Sequence, residues 1–180
     1  MDGDERLRLF VALPLPPEPR ERLIAWQRHA LAAAREARIV PPENLHVTLA
    51  FLGSRPRSDV AAILDALRTA AADAAPPTMR ATRYRETRSV GMVVLDDEDG
   101  RAARLAADVG ERLAALGVYP PERRPWLPHV TVLRFRRAPR LSPEAPDLGE
   151  VSPSEAALYT SSLRRSGAQY DVLESVPLGG

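Results

Sequence analysis

The chain has 180 residues, 44% of them apolar, and a formal net charge of +1, which suits one domain with a substantial core and gives no bulk charge for general nucleic-acid binding. Cysteine is absent, so disulfides, thiolate metal sites and cysteine nucleophiles are excluded. All 25 basic residues are arginine, which also excludes a Walker-type phosphate loop, a Schiff-base cofactor and a ligase charged with ATP through a lysine.

The amino end starts acidic and has no apolar run long enough for a signal peptide or a membrane span, so a cytoplasmic protein is expected. Leu7 to Leu13 read as a strand ended by prolines, and Pro16 to Pro19 lead into a helix expected to run through Arg38, with Leu23, Trp26, Ala30 and Ala33 or Ala34 on its buried side. A strand beginning at His46 follows and is closed by Gly53. Ser58 and Asp59 are candidate caps for a second helix with Val60, Ile63, Leu64, Leu67 and Ala71 inward. Two strands, Met79 to Glu86 and Ser89 to Leu95, precede a third helix that buries Leu105, Val109, Leu113 and Leu116 and ends at Gly117. A second strand with the same phrase begins at His129, residues 138–153 form a long proline-rich loop, and the tail makes two strands turning near Ser166 and Gly167. This order predicts an α+β fold in a single domain over residues 1–180, with two strand-and-helix lobes that each contribute one matching strand.

Two of the three histidines stand in the same phrase, His46-Val47-Thr48-Leu49 and His129-Val130-Thr131-Val132. Strand alternation places His46, Thr48 and Ala50 on one face and Val47, Leu49 and Phe51 on the other, and pairs His129 with Thr131 in the same way. Two imidazoles flanking one cleft suit in-line displacement at phosphorus, one removing a proton from the attacking oxygen and the other protonating the leaving oxygen. Threonine hydroxyls between them are placed to hold the non-bridging oxygens. A single such histidine is ordinarily structural, and the repetition is what points to chemistry. His29 reads as a helix-surface residue with no ligand set around it, so neither a metal nor a cofactor is expected. The arginine runs at 80–88 and 134–137 read either as solvated strand faces or as phosphate contacts.

The phrases "VPPENLHVTLAFLG" and "PHVTVLRF", the opening "RLFVALPLP" and the closing "LYTSSLRRSGAQYDVLESVPL" resemble the bacterial and archaeal RNA 2′,3′-cyclic phosphodiesterases, also called 2′-5′ RNA ligases, of the two-histidine phosphoesterase superfamily. The resemblance implies a bilobal fold, two pseudo-symmetric lobes of antiparallel strands with outer helices around a central cleft, and hydrolysis of RNA 2′,3′-cyclic phosphates to 2′-phosphomonoesters; RNA ends or cyclic nucleotides are the expected partners, and a monomer is expected. It implies His46 as proton donor to the departing O3′, His129 as the base that activates water, and Thr48 and Thr131 as phosphate ligands. Arg134 falls where the family often has an arginine, but Val132 and Leu133 replace the usual Leu-Ala before it. Alternation puts Leu133 on the histidine face and Arg134 on the opposite one unless a bulge or strand end turns it back. Trp126 is the expected base-stacking residue, while Phe51 is expected in the core. Two other readings remain: ATP-independent 2′-5′ joining of RNA ends, and an RNA-end binding module without chemistry.

Overall fold

A computed structural model describes residues 4–179. In chain order its elements are β1 (Arg6–Pro14), α1 (Pro17–Ala30), β2 (Arg38–Ile39), β3 (His46–Pro56), α2 (Val60–Ala72), β4 (Met79–Glu86), β5 (Val90–Asp97), α3 (Arg101–Ala115), β6 (His129–Arg134), β7 (Glu155–Arg164) and β8 (Gly167–Pro177). The strands form one antiparallel sheet in the order β4-β5-β6-β3-β1-β7-β8, with β2 added beside the end of β6. Its two halves, β4-β5-β6 and β3-β1-β7-β8, meet where Val47 pairs with Val130.

The three helices cover one face. Leu23 of α1, Ile63 and Leu67 of α2, and Leu105, Val109 and Leu113 of α3 join Leu9, Val47, Val93 and Val130 in one buried cluster. The run Leu9 to Leu13 is buried throughout because β1 is covered on both sides: Phe10 and Ala12 turn away from the helices and pack with Ala157 and Tyr159 in a second, smaller cluster. Residues 138–150 have no regular structure. This loop is tied down by the Trp26 indole N–H on the Glu144 carbonyl (2.9 Å) and by the bridge between Met79 and Val151.

Simple alternation fails at bulges, three of which adjoin the two histidine strands. Along β1, Phe10 faces Phe51 and Leu9 faces Gly53, which leaves Leu52 unpaired; Val11 faces Ala50 and Ala12 faces Thr48, which leaves Leu49 unpaired. Along β5, Gly91 faces Leu133 and Met92 faces Thr131, which leaves Val132 unpaired. Each extra residue reverses the parity of the positions beyond it. Ala50 and Leu133, expected beside the histidines, therefore lie in the core, and Phe51, expected in the core, is 52% exposed with the Arg8 guanidinium 5.5 Å from its ring centre.

Other boundaries also differ. The first helix stops at Ala30, and Arg38 belongs to β2. Its buried Gln27 donates through Nε2 to the carbonyls of Val40 (3.1 Å) and Val132 (3.0 Å), so tertiary pairing draws the following chain alongside β6 against a helix-favouring Ala/Arg sequence. Ala33 is exposed and Ala34 buried. Ser58 and Asp59 cap nothing: they sit in a short 3₁₀ turn, Ser58 bonding Asp4 and Asp59 bonding Arg55. Leu116 is 44% exposed because α3 has ended, and Gly117, at φ 74°, takes the left-handed position that turns the chain away.

Candidate active site

His46 and His129 are the first residues of β3 and β6, the central strands of the sheet. Proline-bearing segments, "PPENL" and "PWLP", deliver the chain to each. Because the antiparallel ladder is centred on Val47 and Val130, the positions on either side set His46 across from Thr131 and Thr48 across from His129. All four side chains are half-buried on the face away from the helices. Val47 and Val130, pointing the other way, have no exposure at all and anchor both strands in the core.

Each imidazole is oriented by the carbonyl two residues before it. His129 uses Nδ1 on the Leu127 carbonyl at 2.7 Å, which leaves Nε2 facing the cleft. His46 hydrogen-bonds the Asn44 carbonyl, while its Nε2 lies 2.9 Å from the Thr48 hydroxyl. With the Nδ1 proton on Asn44, the Thr48 hydroxyl donates to Nε2. The two rings are thereby held in matching orientations.

Their surroundings are not matched. His46 stacks on Phe10 (centroids 4.9 Å, 29°) and meets the edge of Tyr170 at 5.5 Å; Tyr159 lies parallel to Phe10 at 4.9 Å. This aromatic wall removes water, and burial pushes the His46 pKa down to about 4, aided by the positive charge of Arg134 and by His129, against the opposing bond to Asn44. Across the sheet, His129 neighbours Val94 and Thr131 neighbours Met92 on β5, and the next residues along those rows are Arg83 and Arg85 of β4.

The bulge at Val132 brings Arg134 to the histidine face, as its expected role required, and it stands exposed at the end of β6. Together with Arg38, Asn44, Gly167 and Tyr170 it lines a cavity of about 120 Å³ beside His46. Asn44 donates to the Ala168 carbonyl at 2.9 Å, which ties the cavity wall to the start of β8. Trp126 is not in this group. Its indole N–H donates to the Thr48 carbonyl at 3.1 Å, while the ring packs on the core side and lines a separate cavity of about 680 Å³ against α3. Trp126, expected to stack on a base, thus stands behind the Thr48 strand and not with the two histidines. His29 is exposed on α1, and among the described residues no three acidic or histidine side chains cluster at metal-binding spacing.

Phe10, Asn44, Tyr159 and Tyr170 escaped the sequence reading. Phe10 had a signal, since an unbroken apolar run in a strand implies cover on both faces. The tyrosines gave none, because only the register of β7 and β8 brings them to His46.

Residues 13–89 match the family described as LigT like Phosphoesterase. The chain is 34% identical, over 97% of its length and 91% of the relative's, to a protein of Thermus thermophilus named RNA 2′,3′-cyclic phosphodiesterase. The crystal structure of TT0787 of Thermus thermophilus superposes with a TM-score of 0.85 at 29% identity, covering 97% of this chain and 99% of that one. That of Escherichia coli LigT complexed with 3′-AMP gives 0.83 at 26% identity, covering 98% and 100%.

Proposed function

We propose, of a chain that belongs to the LigT-like phosphoesterase family, that it hydrolyses 2′,3′-cyclic phosphate ends of RNA to 2′-phosphomonoesters by acid/base catalysis between His46 and His129. The observation that carries the reading is the facing of the two His-x-Thr pairs across Val47 and Val130, which sets an imidazole and a hydroxyl on each of two adjacent strands. The names of the relatives supply the substrate class.

Water attacks phosphorus as the P–O3′ bond breaks. His129 Nε2 takes the proton from the water, and the protonated His46 gives one to O3′. Thr48, Thr131 and Arg134 hold the non-bridging oxygens. His46 is neutral in the free protein at pH 7, since its pKa lies near 4. The anionic substrate supplies the remedy: placed between Arg134 and His46, it offsets the positive charge that disfavours the imidazolium and favours that form directly. The donor thus takes up its proton together with the substrate.

The test is an RNA ending in a 2′,3′-cyclic phosphate, with product analysis that separates 2′- from 3′-phosphate, and the His46→Ala and His129→Ala variants. Each variant is expected to lose about 10²- to 10⁴-fold in turnover. A substrate with sulfur in place of the bridging O3′ assigns the roles, because a departing thiolate needs no proton: His46→Ala should recover on it and His129→Ala should not. Retained RNA binding without turnover in the unaltered protein would make the cleft a recognition site instead, and faster sealing of RNA ends than hydrolysis would favour the joining direction.

A further inference from the structure

The two arginine runs that the sequence leaves open come together in space. Val90 pairs with Arg134, and the Phe135 N–H donates to the Ser89 carbonyl at 3.0 Å, so the β4–β5 turn lies against the chain leaving β6. There Arg88, Arg136, Arg137 and Arg140 line an open basin of about 490 Å³. Arg83 and Arg85 stand in register with Val94 and Met92, which in turn neighbour His129 and Thr131, so a row of guanidinium groups connects the histidine cleft to the basin.

These arginines are unpaired. Neither they nor Arg134 lie within ion-pair distance of a carboxylate among the described residues, unlike Arg22, Arg55 and Arg112; other arginines, Arg28 and Arg123 among them, are unpaired too, so what distinguishes this group is its density. The one carboxylate in 83–90 and 134–140, Glu86, is committed otherwise: it accepts from the Tyr84 hydroxyl (2.9 Å) and from the backbone N–H groups of Arg140 and Leu141 (both 2.8 Å). This clamp holds Arg140 at φ 58°, a left-handed conformation that an arginine adopts only where its surroundings impose it. The whole chain carries only +1, so the seven arginines gathered here leave the remainder net acidic. Such a separation of charge steers an anion to one end of the molecule.

We propose that this basin binds the phosphodiester backbone of RNA upstream of the reacting end, so that the enzyme acts on polynucleotide ends in preference to cyclic mononucleotides. The proposal rests on the phosphodiesterase reading above and adds to it a second, non-reacting phosphate site. Arg136 lies a strand-length beyond His129, on the order of 20 Å at ~3.3 Å per residue. A mononucleotide with its phosphate between the histidines ends short of it, while an oligonucleotide continues across. Planar guanidinium forks with no competing carboxylate fit that backbone without reading its sequence.

The experiment compares the unaltered protein with an Arg88→Ala/Arg136→Ala/Arg137→Ala variant that keeps Arg134. On a ten-nucleotide RNA with a 2′,3′-cyclic end, kcat/KM should fall at least tenfold at low salt, while turnover of 2′,3′-cyclic AMP stays within about twofold. Affinity for the same RNA ending in a 2′-phosphate, followed by fluorescence anisotropy, should lose salt dependence, the log–log slope becoming shallower by about 0.7 for each phosphate contact removed. An equal loss on both substrates, or an unchanged RNA slope and rate, would overturn the proposal. Should the unaltered protein open no cyclic phosphate at all, the activity reading fails, and the anisotropy slopes still decide the backbone site.

Discussion

The mechanism asks the histidine with the lowered proton affinity to act as an acid, and this can be tested directly. At a pKa of about 4 the free His46 imidazole is protonated in only about 0.3% of molecules at pH 6.5, and protonating it at pH 7 costs about 4 kcal/mol. A unit negative charge 4 Å away at the effective dielectric of a half-open site returns about 4 kcal/mol, enough to offset that cost and make the protonated form accessible at pH 7. Histidine Cε1–H resonances followed by NMR from pH 3.5 to 8, with and without saturating 2′-AMP, should show His46 unprotonated down to about pH 5 in the free protein and titrating one to three units higher with the nucleotide bound. In the kinetics, the acid limb of kcat/KM should fall near pH 4 and that of kcat should lie higher, since the first reports the free enzyme and the second the complex. The same shift is a stability term. A neutral buried imidazole contributes stability that is present above pH 6.5 and is lost as pH falls toward 4, by up to about 3 kcal/mol, less whatever the partly open ring recovers from water. A free His46 that titrates near 6.5, or one that the nucleotide leaves unmoved, would refute the reasoning.

Three substitutions probe the frame around this site. Leu133→Ala should destabilise by about 2–5 kcal/mol in urea unfolding, the cost of a cavity in a fully buried position; a cleft-face leucine would lose far less. Trp126→Phe removes the donor from the Thr48 carbonyl and should lower kcat more than it raises KM, because the hydroxyl is then less well placed in the transition state; unchanged kinetics would sink this supporting role. Gly91→Ala would set a methyl group into the Tyr84 hydroxyl and ring, so the Tyr84–Glu86 bond should break; the variant should lose at least 1 kcal/mol in thermal unfolding and increase hydrogen exchange at the Arg140 and Leu141 amides.

The placement of the two motifs was legible because each needs only two alternating positions. His46-x-Thr48 and His129-x-Thr131 keep their parity, and both pairs face the same cleft. One residue further the sequence misleads, since Leu49 and Val132 are bulges, and a bulge is a property of the pairing rather than of the strand that contains it. Nothing in "TLAF" or "TVLR" says that β1 and β5 are each one residue shorter there. The same limit explains Trp126: neighbouring His129 in sequence fixes proximity but not the face. The α1 boundary went wrong for a third reason, because Gln27 and the β2 pairing prevail over local helix preference.

The repeated bulge also shows how two equivalent histidines become different. In both halves the sequence runs histidine, core residue, threonine, two core residues, then an outward side chain, which is Phe51 in one half and Arg134 in the other. Around His46 the outer strands β7 and β8 supply Tyr159 and Tyr170; beyond His129 the outer strand β4 supplies Arg83 and Arg85. Acid/base catalysis by a pair of identical groups requires that their environments separate them, since two imidazoles with equal proton affinity have no fixed division of labour. The motif alone cannot provide that separation, because the motif is the same twice. It comes from the flanking strands, one set apolar and aromatic, the other basic. That division also gives the cleft a direction, aromatic at one side and basic at the other.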